Sequence, residues 1–201
     1  MCNDNTLPDN FDELKQEILQ CQKCPLSKTR HKVVFGDGNR NAEIMLIGEG
    51  PGYYEDQSGI PFVGKSGKLL DRIIEVCGFT RKEHIFIGNI VKCRPPQNRA
   101  PLPEERKACI PYLYKQIELI KPKIIILLGA TALNGLIDPN ARITKVRGQW
   151  MEWRGIQVMP TYHPSALLRN PSLKRDAWED FKKVVAKYRE LVNPDHHSDY
   201  Y

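Results

Sequence analysis

Long apolar runs are missing from this sequence of 201 residues. No uninterrupted apolar stretch approaches the ~20 residues that a membrane-spanning helix needs. Residues 1–12 are polar and acidic, and they do not resemble the basic and apolar start of a secretion signal. We therefore expect a cytoplasmic protein without a membrane partner.

The dinucleotide-binding pattern G-x-G-x-x-G is absent as well. Its absence counts against an electron-transfer protein whose glycine loop binds a nucleotide or a flavin, although that class stays an alternative for a chain with several cysteines. No internal repeat is present, so the chain is not an array of stacked short units.

The amino-acid composition indicates one basic globular domain. Hydrophobic residues make up 41% of the chain, which is enough for a core, and the formal net charge is +6. Excess positive charge favours a polyanionic partner such as nucleic acid. We expect a monomer with a flexible N-terminus (residues 1–10), a folded domain (11–192) and a flexible C-terminal tail (193–201).

Helical and strand patterns alternate along the domain. Apolar residues recur at helical spacing over residues 69–77, and a basic amphipathic helix is expected over residues 172–191. Short apolar runs at residues 44–47, 85–91 and 124–128 indicate buried strands. The alternation predicts an α/β fold, a single-domain three-layer α/β/α sandwich with a mostly parallel central sheet.

Three loops that follow strands carry polar side chains. Glu49 comes directly after the first apolar run in a loop of glycine and proline, Asn89 ends the second run, and His163 lies in a later loop. The carboxyl ends of parallel strands meet at one edge of the sheet, where α/β proteins bind ligands. We therefore expect these three side chains to lie close together.

The cysteines favour metal or redox chemistry over a disulfide framework, since the chain has no recognisable secretion signal. Cys21 and Cys24 form a C-x-x-C pair, Cys93 and Cys109 are separated by fifteen residues, and Cys77 falls on the apolar stripe of a helix. Four thiolates suit either zinc or an iron–sulfur cluster, and ligand softness alone does not choose between them.

Five motifs identify a family resemblance. C-Q-K-C-P-L begins at Cys21, G-E-G-P-G at Gly48, G-I-P-F-V-G-K-S-G at Gly59, N-I-V-K-C-R-P-P at Asn89 and H-P-S-A-L-L-R at His163. In the order and spacing of these motifs, over roughly residues 11–190, the sequence resembles the family 4 uracil-DNA glycosylases.

The resemblance implies the fold of those enzymes and their activity. A member flips uracil out of single- or double-stranded DNA and hydrolyses its N-glycosidic bond, leaving an abasic site for base excision repair. It would associate with the nucleoid when bound to DNA. The resemblance also implies a 4Fe-4S cluster, with the ligands Cys21, Cys24, Cys93 and Cys109.

The same resemblance assigns roles to the motif residues. The predicted catalytic residues are Glu49, Asn89 and His163. The Glu49 carboxylate would orient water or stabilise the cationic sugar, and the Asn89 carboxamide would bind the polar edge of uracil. The neutral His163 imidazole would stabilise the negative charge that develops on uracil O2. The predicted substrate-binding residues are Gly48, Glu49, Gly50, Glu55, Phe62, Asn89 and His163. The predicted DNA-binding residues are Pro164, Ser165, Leu167 and Arg169, with Leu167 as a wedge into the base stack.

Two departures from related patterns are visible. Tyr53 and Tyr54 occupy the positions after G-E-G-P-G that are commonly acidic in the family, while Glu55 and Asp56 are retained. A related branch that traps uracil-DNA covalently carries a basic insertion with a histidine nucleophile after its R-P-P segment, where this chain has residues 97–100, Q-N-R-A. No lysine is placed to form a Schiff base, so we expect monofunctional hydrolysis.

A zinc-stapled nucleic-acid-binding module without catalysis is the remaining alternative. Its main support is the basic helix near the C-terminus, yet such helices are more often solvated faces than DNA contacts. Release of uracil from an oligonucleotide separates an enzyme from both alternatives.

Overall fold

A six-stranded sheet divides the molecule into two helical layers in the computed structural model, which describes residues 7–200. The strands are β1 (Asp37–Gly38), β2 (Ile44–Gly48), β3 (Ile85–Asn89), β4 (Ile124–Leu128), β5 (Met151–Trp153) and β6 (Ile156–Thr161). Their order across the sheet is β1-β3-β2-β4-β6-β5. The four inner strands are parallel, and the two edge strands β1 and β5 pair antiparallel to their neighbours.

The helices cover both faces of this sheet. They are α1 (Phe11–Leu19), α2 (Tyr53–Ser58), α3 (Lys65–Val76), α4 (Pro103–Ile120), α5 (Ala130–Leu136), α6 (Ile143–Val146), α7 (Pro164–Arg169) and α8 (Lys174–Leu191). Single 3-10 turns occur at Pro25–Lys28, Pro96–Asn98 and Pro171–Leu173. None of the helices within residues 7–200 combines the length and apolar composition needed to cross a membrane.

Two hydrophobic cores lie on opposite faces of the sheet. Along β2, Met45 and Ile47 face one core while Ile44 and Leu46 face the other, because successive side chains of a strand point to opposite faces. Helices α1, α4 and α5 contribute to the first core, and α3 and α8 to the second. The predicted three-layer α/β/α sandwich is confirmed.

The strand order creates a crevice beside β2. From β2 the chain continues to β3 on one side of it, and the later strand β4 pairs with the other side. Connections that leave in opposite directions open a gap at the carboxyl ends of the strands, where doubly wound proteins bind ligands. Gly48, Asn89 and Leu128 end the three strands that border this gap.

The C-terminal segment differs from the flexible tail that the sequence suggested for residues 193–201. His196 and Ser198 are buried, and the His196 ring stacks on Phe79 with centroids 4.5 Å apart. The amide of Asp199 donates to the carbonyl oxygen of Val76 at 2.9 Å. Phe79 and Val76 lie more than 100 residues earlier in the chain, so the polar sequence of this segment does not reveal these contacts. Arg189 of α8 adds a local contact by donating to the carbonyl oxygen of His196 at 2.9 Å. Of the predicted flexible N-terminus, residues 1–6 lie outside the described range.

Candidate active site

One cavity of about 550 Å³ opens at the carboxyl ends of the parallel strands. Its size suits a small ligand or a single flipped base. Glu49, Asn89 and His163 all line it, as the loop positions predicted. The cavity also includes the predicted residues Gly50, Glu55, Phe62, Ser165 and Arg169.

Asn89 ends β3 and presents an unsatisfied polar atom to this cavity. The side chain is 2% exposed, and its Oδ1 has no hydrogen-bond partner among residues 7–200. A buried acceptor without a donor costs about 1–3 kcal/mol, so its retention points to a ligand that donates a hydrogen bond. Gly48 leaves the necessary room, because a Cβ there would lie 2.6 Å from Asn89 Oδ1.

Phe62 forms an apolar wall of the cavity in a strained backbone conformation. Its φ is +52°, which is unusual for a bulky residue. Arg81 holds the segment by donating to the carbonyl oxygens of Pro61 at 2.7 Å and Phe62 at 2.6 Å. Gly67 permits the close approach of α3, since a Cβ there would lie 1.9 Å from Phe62 O. The strain fixes the ring in place and is balanced by these contacts.

His163 is a neutral imidazole with a defined tautomer. Its Nδ1 accepts the backbone N–H of Ser165 at 3.0 Å and lies 2.8 Å from Ser165 Oγ, so the ring proton resides on Nε2. Burial, reinforced by the charge of Arg169, lowers the pKa of His163 to about 4. The ring centroid is 5.4 Å from that of Phe62. The site therefore offers one fixed N–H donor beside an aromatic wall.

Glu49 is positioned by a residue that the sequence analysis did not identify. Thr131, on the first turn of α5, donates a short hydrogen bond from its hydroxyl to Glu49 Oε2. The other carboxylate oxygen of Glu49 accepts no hydrogen bond from residues 7–200. Thr131 comes shortly after the carboxyl end of β4. Its position after a strand is the same signal that pointed to Glu49 in the sequence.

Glu55 lines the cavity but is committed to the surrounding loops. Its Oε1 accepts the amides of Val63 and Gly64, both at 3.0 Å, and its Oε2 accepts the amide of Gly52 at 3.2 Å. Three backbone donors hold the carboxylate in place on the cavity wall, and the role of Glu55 in substrate binding stays a prediction. Glu49 is therefore the better candidate for chemistry.

The residues from Gly59 to Ser66 also have the spacing of a phosphate-binding loop, G-x-x-x-x-G-K-S. Such a loop follows a strand and directs free amides at phosphate. Here Gly59 instead caps the end of α2, and the amide of Gly64 donates to Glu55. The structure is therefore inconsistent with nucleotide binding by this segment.

The loop predicted to contact DNA requires two corrections. Leu167 is 1% exposed and packs inside the fold, so it does not reach a base stack, whereas its neighbour Leu168 is 43% exposed. Pro164 is also buried at the first turn of α7. The sequence predicts a loop here, whereas the residues form helix α7, whose helical spacing turns Pro164 and Leu167 to its inner face. Arg169 is exposed and lines the cavity.

The four predicted metal ligands meet at a second, narrow cavity. Cys21, Cys24, Cys93 and Cys109 all line it, whereas Cys77 packs in the core on the opposite face of the sheet. Burial raises the pKa of Cys77 to about 12, which keeps that thiol protonated. Within residues 7–200, no three His, Cys, Asp or Glu side chains have the spacing for a single metal ion.

Nitrogen donors surround the sulfur atoms of this cysteine group. The pairs are Lys23 N to Cys21 Sγ at 3.5 Å, Arg30 Nη1 to Cys93 Sγ at 3.3 Å and Lys92 N to Cys109 Sγ at 3.4 Å. N–H donors directed at sulfur stabilise thiolates, and they are a common feature of the surroundings of metal-bound cysteines.

Lys92 connects the cysteine group to the larger cavity. Its backbone amide donates to Cys109 Sγ, and its fully buried ammonium donates to Asn89 O at 3.0 Å and Gln116 Oε1 at 2.6 Å. Burial lowers the pKa of Lys92 to about 8. A lysine in the sequence gives no sign of such burial, so this link is visible only in the fold.

Comparison with known proteins fits this geometry. The profile of the Uracil DNA glycosylase superfamily matches residues 35–182, a range that contains Glu49, Asn89 and His163. A type-4 uracil-DNA glycosylase of Thermotoga maritima is 48% identical over 183 residues, 89% of this chain and 95% of the relative. The chain belongs to the type-4 uracil-DNA glycosylases. The family resemblance drawn from the five motifs is confirmed.

Other relatives support the type-4 assignment. A type-4 uracil-DNA glycosylase of Saccharolobus solfataricus is 50% identical over 185 residues, covering 88% of this chain and 85% of the relative. A type-5 uracil-DNA glycosylase of Pyrobaculum aerophilum is only 24% identical over 189 residues, covering 78% of this chain and 83% of the relative. The type-4 family therefore describes nearly all of the domain.

Proposed function

We propose that this type-4 family member is a monofunctional uracil-DNA glycosylase that acts in base excision repair. It would flip uracil from DNA into the cavity at the carboxyl ends of the strands, hydrolyse the N-glycosidic bond and leave an abasic site. The observation that carries this proposal is the unpaired Oδ1 of Asn89 in a cavity of about 550 Å³.

Asn89 would select uracil by its hydrogen-bonding pattern. The carboxamide oxygen accepts the N3–H of uracil, while the amide nitrogen donates to O4. Cytosine presents an acceptor at N3 and a donor at C4, so both contacts are lost. Each buried polar group left unmatched costs about 1–3 kcal/mol, and the discrimination exceeds the loss of one contact. Phe62 would stack against the flat face of the base.

Bond cleavage places negative charge on the leaving base and positive charge on the sugar. The Nε2–H of His163 would donate to uracil O2 as that charge develops, which requires the neutral tautomer that Ser165 fixes. Glu49, held by Thr131, would orient the water or stabilise the cationic sugar. The C1′–N1 bond breaks, the water oxygen bonds to C1′, and a proton from that water ends on the uracil anion.

Cys21, Cys24, Cys93 and Cys109 would hold a 4Fe-4S cluster. Their fit rests on the shared cavity and on the N–H groups that are directed at their sulfur atoms. When bound, the cluster would supply covalent links between the segment after α1, the loop after β3 and helix α4.

DNA would approach along the rim of the cavity beside α7. Arg169 supplies a positive charge for a phosphate, and Ser165 lies next to it on the wall. The exposed Leu168, rather than the buried Leu167, is the side chain able to enter the gap left by a flipped base. We expect the enzyme to act in the cytoplasm, at the nucleoid when substrate is bound.

Uracil release by the wild type and by Asn89→Ala tests the proposal. The wild type should excise uracil from single-stranded and duplex oligonucleotides and leave cytosine intact, while the variant should lose most turnover. Because Asn89 Oδ1 has no partner within the described chain, the variant should keep the wild-type melting temperature. A wild type that leaves every uracil in place would refute the function.

A further inference from the structure

Two adjacent aromatic side chains stand exposed beside the cavity. Tyr53 and Tyr54, on the first turn of α2, are 51% and 62% exposed. Gly52 is the N-cap of their helix, Glu55 lies within it, and both of these residues line the cavity. The tyrosines are therefore continuous with the rim of the uracil site but take no part in the chemistry described above.

The two rings are held in a fixed arrangement. Their centroids are 5.4 Å apart and their planes are inclined by 83°. The Arg94 guanidinium lies over the Tyr53 ring at 5.3 Å and is itself anchored by a hydrogen bond from Nε to Asn98 Oδ1 of 2.7 Å. Asn98 also lines the cavity. This group of Tyr53, Tyr54 and Arg94 is called the tyrosine platform below.

Tyr54 has the most accessible ring of the platform. A Cβ on Gly64 would lie 3.4 Å from Tyr54 Cδ2, so the glycine lets the ring lie close to the loop that carries Phe62. The ring remains 62% exposed even with this support. A supported and accessible ring of this kind loses little conformational freedom when a ligand stacks on it.

The chemistry of the platform matches an unpaired nucleobase. Aromatic rings stack on the π-faces of bases without sequence preference, and arginine adds a cation–π contribution and an attraction for phosphate. In duplex DNA the base next to a flipped nucleotide stays paired within the helix, and the residue that fills the gap, the role given above to Leu168, covers its exposed face. The neighbouring base in a single strand is unpaired and can turn a free face to the platform. Only the unpaired base gains a new stacking partner at the platform.

We propose that the tyrosine platform binds the unpaired base that neighbours uracil in single-stranded DNA, with Tyr54 as the stacking ring and Tyr53 and Arg94 as its support. The inference rests on the proposed function, because it assumes that uracil occupies the adjacent cavity. Stacking on the platform would give the enzyme a preference for single-stranded substrate, which uracil recognition by Asn89 does not supply.

Fluorescence of 2-aminopurine tests this assignment directly. The probe is a single-stranded oligonucleotide with an uncleavable 2′-fluorinated arabino-uridine at the uridine position, which keeps the uracil base, and 2-aminopurine on its 5′ or 3′ side. Stacking on a tyrosine should quench 2-aminopurine at one of the two positions when the wild type binds. Absence of quenching at both positions would overturn the proposal without any variant.

Variants of Tyr54 measure the contribution to affinity. Tyr54→Ala should weaken binding of the single-stranded probe by about tenfold or more, the loss expected for one base stack, and should remove the quenching. Tyr54→Phe keeps the ring and should bind as the wild type does. Ile60→Ala, at another exposed apolar side chain, serves as the matched control and should change neither signal.

Duplex DNA and uracil excision separate the possible failures. Affinity for the duplex form of the probe should change less than threefold in Tyr54→Ala. Equal loss on both forms would assign Tyr54 to general DNA binding, and unchanged affinity on both would leave the ring for a different partner; each result overturns the proposal. If the wild type excises uracil while Tyr54→Ala gives either of these results, only the platform proposal fails and the proposed function stands. If the wild type does not excise uracil, the proposed function itself fails.

Discussion

Replacing His163 separates a chemical role from a structural one, because the residue has both kinds of contact. Its Nδ1 accepts the amide of Ser165 as the N-cap of α7, and its Nε2–H is available to the cavity. His163→Ala removes both contacts. His163→Asn restores a good N-cap, since an asparagine oxygen accepts the same amide, but its shorter side chain carries no donor to the position of Nε2.

The two roles differ in magnitude and in the property they affect. Loss of a donor that acts on developing charge should lower the single-turnover rate by on the order of 10²-fold or more, about 3 kcal/mol in activation free energy. Loss of the N-cap should lower the unfolding free energy by about 1 kcal/mol. His163→Ala should therefore show both effects, and His163→Asn should show the rate loss with nearly wild-type stability.

Single-turnover uracil release, DNA affinity and melting temperature should be measured on the same preparations. Affinity for uncleavable DNA should fall much less than the rate, because the contact forms as the bond breaks. A His163→Asn enzyme that cleaves at nearly the wild-type rate would refute the catalytic role and leave the cap as the function of His163. Glu49 and Asn89 would then be the remaining catalytic candidates.

The pH dependence provides a second test of the same residue. Since the pKa of His163 is lowered to about 4, the ring is neutral at pH 5 to 8, and its ionisation should not change the cleavage rate in that range. In the unfolded chain the pKa returns to about 6.5, so the unfolded state binds the proton first as the pH falls. The His163 contribution should lower the unfolding free energy by about 3 kcal/mol between pH 6.5 and pH 4. His163→Asn should lack this component.

Five other substitutions have distinct expected outcomes. Cys93→Ser should lose iron and soluble yield together, as measured by metal analysis and absorbance near ~400 nm, while Cys77→Ser should keep its metal content. Leu168→Ala should slow uracil release from duplex DNA and spare single strands, whereas the buried Leu167→Ala should lower the unfolding free energy by about 2–5 kcal/mol. Glu49→Gln should reduce the single-turnover rate with little change in DNA affinity. Zinc in place of iron in anaerobically prepared protein would contradict the cluster assignment. Equal rates on duplex DNA for Leu168→Ala and the wild type would contradict the role of Leu168 in filling the gap. Full activity of Glu49→Gln would contradict the catalytic role of Glu49.

The sequence by itself determined the layers of the fold and the family. Runs such as residues 44–47 and 124–128 become strands of the central sheet because each is apolar on both faces, as a strand between two helical layers must be. The positions of Glu49, Asn89 and His163 after strands placed them at one edge of the sheet. These features depend on local patterns and on chain order, which a sequence displays directly.

Only the tertiary structure decided how individual side chains are used. Glu55 and Glu49 are both acids near one glycine-rich loop. Glu55 accepts one backbone amide from that loop and two from the segment after α2, whereas Glu49 accepts the hydroxyl of Thr131. Leu167 and Leu168 are identical in type, and the rotation of a single helical turn buries one and exposes the other. Such differences arise from contacts between residues distant in the chain and from angular position, neither of which is encoded in residue type.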